Sequence, residues 1–223
     1  MKIGILGGSS SISTQEFYRV VLLKLASLGF NCFDDTPMFV ILDMPFRENI
    51  SSLPENKKIL DAAILYFNNI NPDFIVIPCN TLHSYHDCIA KNICCPVINM
   101  IDLVKKIIVK KNYSSPLLLS TTPVQENNLY ESDEYRLVYP TPEDSVKINQ
   151  IIQELCNGLK PNSHKDLLNN IINKYTGCDC YIYGCTELHY IWQRYENHIS
   201  SLEVLAEYTV NNIIHENIKE DKK

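Results

Sequence analysis

The sequence predicts an α/β protein made of two similar βα lobes with mostly parallel sheets, and three observations carry that prediction. Short apolar runs that stop at small polar residues alternate with amphipathic stretches along the whole chain, as buried parallel strands alternate with crossover helices. The order of parts restarts after Tyr113-Ser114-Ser115-Pro116. Two of the apolar runs, Phe74–Cys79 and Cys180–Cys185, end in a cysteine, and each has an aspartate six residues ahead of the thiol, Asp73 and Asp179.

The elements follow in order. Ile3-Gly4-Ile5-Leu6 is a strand, and Gly7-Gly8 opens a Ser/Thr-rich turn through Thr14. Phe17, Val20, Val21 and Leu25 then keep helical spacing. Phe39–Asp43 is the second strand, with a loop from Met44 to Asn49 at its carboxyl end; 57–69 is an amphipathic helix broken by Asn71-Pro72-Asp73. After the Cys79 strand, 81–92 reads as one helix, 96–100 as a strand and 103–109 as a helix. The second run has a strand at Leu117–Leu119 ending in hydroxyls at Ser120–Thr122, a short strand near 136–139, helices over 145–156 and 164–175, and the Cys185 strand. A last helix covers 204–214 and a charged tail follows. The expected division is a first lobe over 1–105, a second over 106–215 and a tail over 216–223, with strand carboxyl ends facing one cleft.

Composition narrows the function classes. The chain has 223 residues and a net charge of -6. Its Lys pairs at 105–106, 110–111 and 222–223 form no basic stripe, which argues against nucleic acid. No apolar run nears the roughly 20 residues that span a bilayer. The nine cysteines are odd in number and several lie inside apolar runs, so free thiols in a reducing cytoplasm are expected rather than a disulfide framework. Cys94-Cys95 and Cys178-x-Cys180 match no common zinc spacing, and no metal is expected. The turn after the first strand lacks the third glycine of a dinucleotide fingerprint.

Open α/β sheets hold ligands at strand carboxyl ends, and two matched thiols there point to a site with two faces. The segments Pro78-Cys79-Asn80-Thr81-Leu82-His83 and Gly184-Cys185-Thr186-Glu187-Leu188 resemble the two signature motifs of the aspartate/glutamate racemase family. The likeness extends to Gly7–Thr14 with Tyr18-Arg19, to Val97–Met100 and to Leu117–Thr122. The resemblance implies two pseudo-symmetric lobes with the active site between them, a homodimer, and 1,1-proton transfer on a small amino acid substrate without cofactor or metal.

It also implies roles. Cys79 and Cys185 act as a pair, one as thiolate base and one as thiol acid, because removing the Cα proton from one face and returning one to the other needs two groups. A helix beginning after each thiol is expected to favour the thiolate. Ser10, Asn80, Thr81, Thr186 and the Ser120, Thr121 and Thr122 hydroxyls are substrate-binding donors. Arg47, in Asp43-Met44-Pro45-Phe46-Arg47, is assigned to a second substrate carboxylate, which a guanidinium holds bidentately, the alternative being a surface salt bridge with Glu48 or Asp43. His83 is read as packing or as an influence on Cys79, and Glu187 as a cap or a local charge near Cys185. His189, His198 and Trp192 receive no role, and the other seven cysteines are read as core thiols.

The sequence departs from the family at Ile12, where many members have glutamate, at Pro123-Val124 in place of Gly-Thr, and at Ser200-Ser201, where Pro and Asp are frequent. Cys156 stands about where some aspartate racemases place a lysine. The expected function is L/D-aspartate racemisation, extending to glutamate. The alternatives are a related racemase or isomerase acting on hydantoins or non-acidic amino acids, and a non-catalytic dicarboxylate-binding member.

Overall fold

In a computed structural model the chain is α/β and its sheets are parallel. Residues 1–8, 10–30, 36–46, 54–159 and 162–220 are described; Arg47, Glu48 and Cys32 lie outside them. The elements are β1 (Lys2–Gly7), α1 (Ser11–Ser27), β2 (Met38–Asp43), α2 (Pro54–Ile70), β3 (Phe74–Val76), α3 (His86–Asn92), β4 (Val97–Ile98) and α4 (Met100–Lys110). They are followed by β5 (Pro116–Leu119), α5 (Thr122–Glu126), α6 (Pro142–Cys156), α7 (Asn162–Ile172), β6 (Cys180–Tyr183), β7 (His198–Ser200) and α8 (Ser201–Glu220). Short 3-10 helices at Thr81–Tyr85 and Thr186–Ile191 follow the two thiols.

The first sheet has the order β2-β1-β3-β4 and the second β5-β6-β7. Val138 bridges Leu117 in parallel on the outer side of β5, so the second sheet repeats the first with one bridge in the place of β2. The strand expected near 136–139 is therefore a single bridge; the chain turns toward Pro140 directly after it. The expected 81–92 helix is likewise two pieces, because Tyr85 (φ -104°, ψ 5°) interrupts the helical backbone between them.

The chain divides into two compact units, one comprising 1–99 with α8 from Leu205, the other Met100–Val204. These differ from the lobes expected to meet at 105 and end at 215. The reason is where helix faces are buried. Ile101, Val104 and Ile108 of α4 pack with Leu118, Cys180, Ile182 and Ile199 of the second sheet. From Leu205, α8 returns to the first unit, where Glu207 pairs with Lys24 of α1.

Within each unit a carboxylate sets the register of the central strands. Asp73 Oδ2 accepts from the Lys2 amide at 2.6 Å while the Asp73 amide donates to Lys2 O at 2.8 Å. This puts Ile3 opposite Phe74 and Ile5 opposite Val76. Asp179 accepts from the Ser114 amide (2.6 Å), the Ser114 hydroxyl (2.9 Å) and the Ser115 amide (3.0 Å), ahead of a ladder that runs to Leu119 opposite Tyr183. Gly7, Gly8 and Cys79 therefore leave their sheet at one end, as Ser120–Thr122 and Cys185 leave theirs. Burial holds these central strands: β3 and β5 are fully buried, and the core under β3 is Leu60, Ala63 and Phe67 of α2 with Ile75 and Ile77.

Asp179→Ala leaves the two amides to water in place of their acceptor and is expected to cost about 0.5–1.5 kcal/mol. Burial alone would raise the Asp179 pKa, but the donors from Ser114 and Ser115 outweigh it and hold the carboxyl below its ordinary range. Because the folded pKa is depressed, this stabilisation is complete above the unfolded value near about 4 and is lost as pH falls through the folded one. Denaturant melts between pH 7 and pH 3 should show a flatter acid arm in Asp179→Asn than in the wild type; identical acid arms would contradict the assignment.

Candidate active site

The two thiols end similar turns but are held differently. In the first unit the chain leaves β3 through Ile77-Pro78, and the Cys79 amide donates back to Ile77 O at 2.8 Å. Asn80 already has helical angles (φ -62°, ψ -44°), and the 3-10 helix that follows brings His83 Nδ1 to 2.7 Å from Cys79 O. Both backbone groups of Cys79 are thus fixed. The Cys79 side is buried, as are Asn80 and His83.

Burial lowers the His83 pKa to about 4, outweighing the Cys79 and Ile98 carbonyls, which favour the charged ring, and aided by the nearby His86. The ring is neutral at pH 7. Because Ile98 ends β4, His83 ties the thiol turn to the neighbouring strand, and His86, stacked on it at 6.0 Å, reaches Val97 O at 3.1 Å. His83, left open by the sequence between packing and an influence on Cys79, is buried and bonded to the Cys79 carbonyl.

In the second unit Gly184 N donates to Leu119 O at 2.8 Å and Ser201 Oγ donates to Tyr183 O at 3.0 Å, fixing the turn that carries Cys185. Cys185 Sγ donates to Glu187 Oε2 at 2.8 Å, and Thr186 Oγ1 donates to the same oxygen at 3.3 Å. All three residues are buried. Burial, then the Glu187 carboxylate, then the proximity of Cys156 push the Cys185 pKa well above its ordinary value. The expectation that a following helix favours the thiolate is overridden here. The Glu187 backbone N–H in the six-residue 3-10 helix does favour the thiolate, but burial and the Glu187 carboxylate outweigh it, and the resting form is the thiol.

His189, given no role from the sequence, occupies the place relative to Cys185 that His83 occupies relative to Cys79. Its Nδ1 lies 2.9 Å from Ser200 Oγ at the end of β7, the strand beside β6. The signal was present as Cys-x-x-Leu-His in both motifs.

The other expected residues fall as follows. Ser10 is the N-cap of α1, its hydroxyl accepting from the Ser13 amide at 3.4 Å, beside the Gly8 turn. Gly8 has φ +107°, and a Cβ there would collide with Met44 O, so the first turn and the loop after β2 are locked together. Thr81 is half-buried beside Cys79 and its carbonyl accepts from Ser84 Oγ at 2.8 Å. Ser120 is fully buried with its hydroxyl toward Thr121 O at 3.3 Å; Thr121 is half-buried and Thr122 exposed. Arg47 lies outside the described residues. Among the described residues no three His, Cys, Asp or Glu are grouped to hold a metal ion, and no helix is long and apolar enough to cross a membrane.

The model of the Asp/Glu/Hydantoin racemase family matches residues 5–209. The chain belongs to that family. Among curated proteins it is similar to a broad specificity amino-acid racemase of Bacillus subtilis, 26% identical over 133 residues, a match covering 58% of each chain. Among solved structures it resembles an aspartate racemase homologue from Pyrococcus horikoshii (26% identity, TM-score 0.78, covering 95% of this chain and 98% of that one). The aspartate racemase of Picrophilus torridus shares the fold (23% identity, TM-score 0.76, 95% and 94% covered). Family membership thus joins the two thiol turns to a fold whose solved examples match nearly the whole chain.

Glu187→Gln removes the negative charge beside Cys185 but keeps an acceptor. The Cys185 pKa should fall, so alkylation of Cys185 by iodoacetamide at a fixed pH of about 8, followed by peptide mass spectrometry, should be faster in the variant. An unchanged rate would show that Glu187 does not hold the proton.

Proposed function

We propose that this racemase-family member interconverts L- and D-amino acids by two-base proton transfer with Cys79 and Cys185, and that aspartate, with glutamate as a second substrate, is its preferred class. The observation that carries this reading is the matched pair of thiol turns within the family's motifs, one with its sulfur hydrogen-bonded to a carboxylate. A Cα proton next to a carboxylate is a very weak acid, so a base of high pKa suits its removal. With the proton on sulfur, Cys185 is the acid that delivers it to Cα; once deprotonated, its raised pKa makes the thiolate a strong base. In the first direction Cys79, as thiolate, takes the proton from the other face, and in the reverse direction the roles exchange.

The developing charge at Cα and on the α-carboxylate needs fixed donors. Asn80, Thr81, Thr186 and the Ser120–Thr122 hydroxyls are proposed to supply them with Ser10. Arg47 is proposed to hold the second carboxylate, an assignment that rests on its place after Asp43-Met44-Pro45-Phe46. The same reading carries the expectation of a cofactor-independent homodimer in the cytoplasm. A second reading, a broader racemase acting on non-acidic amino acids or hydantoins, is favoured by the family's breadth and by the Bacillus subtilis relative's description.

Chiral chromatography after incubation with single enantiomers distinguishes the readings. The expected result is D-aspartate from L-aspartate without added cofactor, and a loss of at least roughly 10²-fold in both Cys79→Ser and Cys185→Ser. Arg47→Ala should raise KM for aspartate by about tenfold or more and leave neutral substrates unaffected. Full turnover in either serine variant would reject the two-thiol mechanism, and turnover of neutral amino acids alone would select the second reading.

A further inference from the structure

The hydroxyl turn after β5 is held from outside by a residue that carries no motif signal. Asn149 lies in α6 beside the buried Ile148. Its Oδ1 accepts from the Thr122 amide at 3.2 Å, and its Nδ2 donates both to Thr122 Oγ1 at 3.0 Å and to Ser145 O at 2.8 Å. The partners fix which way the amide points, since a backbone N–H can only donate and a carbonyl can only accept. Both Nδ2 protons are used, so the orientation has no alternative of equal quality.

The chemical consequence falls on Thr122. A hydroxyl has one proton and two lone pairs. With Nδ2 donating into its oxygen, Thr122 keeps its own proton to donate, and accepting one hydrogen bond strengthens a hydroxyl as a donor. Thr122 is exposed, at the same end of the sheet as Cys185. An O–H biased toward donation suits an anion that can only accept, which among amino acid groups is a carboxylate.

We infer that Asn149 is a positioning residue that sets Thr122 as a hydrogen-bond donor to a carboxylate of the substrate, an inference that rests on the amino acid racemase reading above. Asn149 itself does not touch substrate. Replacing it by aspartate exchanges Nδ2 for an oxygen. The Thr122 hydroxyl then donates inward to the new carboxylate and turns its lone pairs outward, which repels the substrate. Replacement by alanine only releases the hydroxyl.

A merely structural role and the donor role respond differently to loss of the Thr122 hydroxyl. If Asn149 only braces α6 against the turn, both variants disturb it, Asn149→Asp by setting a carboxylate oxygen against Ser145 O, and their effects do not depend on that hydroxyl. If it sets the direction of the Thr122 proton, KM rises in the order wild type, Asn149→Ala, Asn149→Asp, by about tenfold or more for the last, with kcat within about twofold. A double-mutant cycle with Thr122→Val separates the hydroxyl route from simple charge repulsion. Asn149→Asp should raise KM in the wild type and add less than about twofold in the Thr122→Val background.

An active enzyme with unchanged KM in Asn149→Asp overturns this inference alone, as does an equal effect with and without the Thr122 hydroxyl. Absence of turnover of any amino acid by the wild type overturns the proposed function and this inference with it.

Discussion

Much of the arrangement depends on a carboxylate placed at the start of each thiol-bearing strand. Asp73 receives the first amide of the neighbouring strand β1, and Asp179 the two amides just ahead of β5, and parallel pairing then carries that register to the opposite end. These bonds tie each aspartate to the start of the neighbouring strand and so favour one alignment over its neighbours. The result is that a hydroxyl-bearing turn and a thiol emerge together in each unit. The repeated order of strands, 2-1-3-4 in the first sheet and the Val138 bridge followed by β5-β6-β7 in the second, makes this one device used twice.

The two copies differ at the thiol turn. At Cys79 a neutral His83 is bonded to the carbonyl of the thiol residue. Around Cys185 the contact is to the sulfur itself, through Glu187. Burial and the adjacent Glu187 carboxylate together keep the proton on Cys185.

The strands were legible in the sequence because they are short apolar runs with abrupt polar stops, and the helices because apolar faces recur with helical spacing. The thiol turns were legible as repeated strand-to-cysteine endings. What the sequence did not reveal lies in geometry that no periodicity encodes. The 81–92 segment is interrupted at Tyr85, and the 136–139 stretch makes only one bridge. The unit to which α4 belongs is decided by which sheet buries Ile101, Val104 and Ile108. The raised pKa of Cys185 overrode the dipole-based expectation, because the sulfur is buried and a 3-10 turn folds Glu187 back onto it. Asn149 gave no signal at all, since an asparagine on the flank of an amphipathic helix is indistinguishable by pattern from a solvated one.

The central claim is that two different groups handle the proton, one on each face of Cα. Its most direct measurement is isotope partition during the first turnovers of a single enantiomer in deuterated water. Two thiols predict deuterium at Cα of the product enantiomer with unlabelled remaining substrate, because a thiol that takes up a protium does not return a solvent deuteron to the same face before product forms. Label appearing in recovered substrate as fast as in product, or protium carried into the product, would mean that one base serves both faces and would contradict the account.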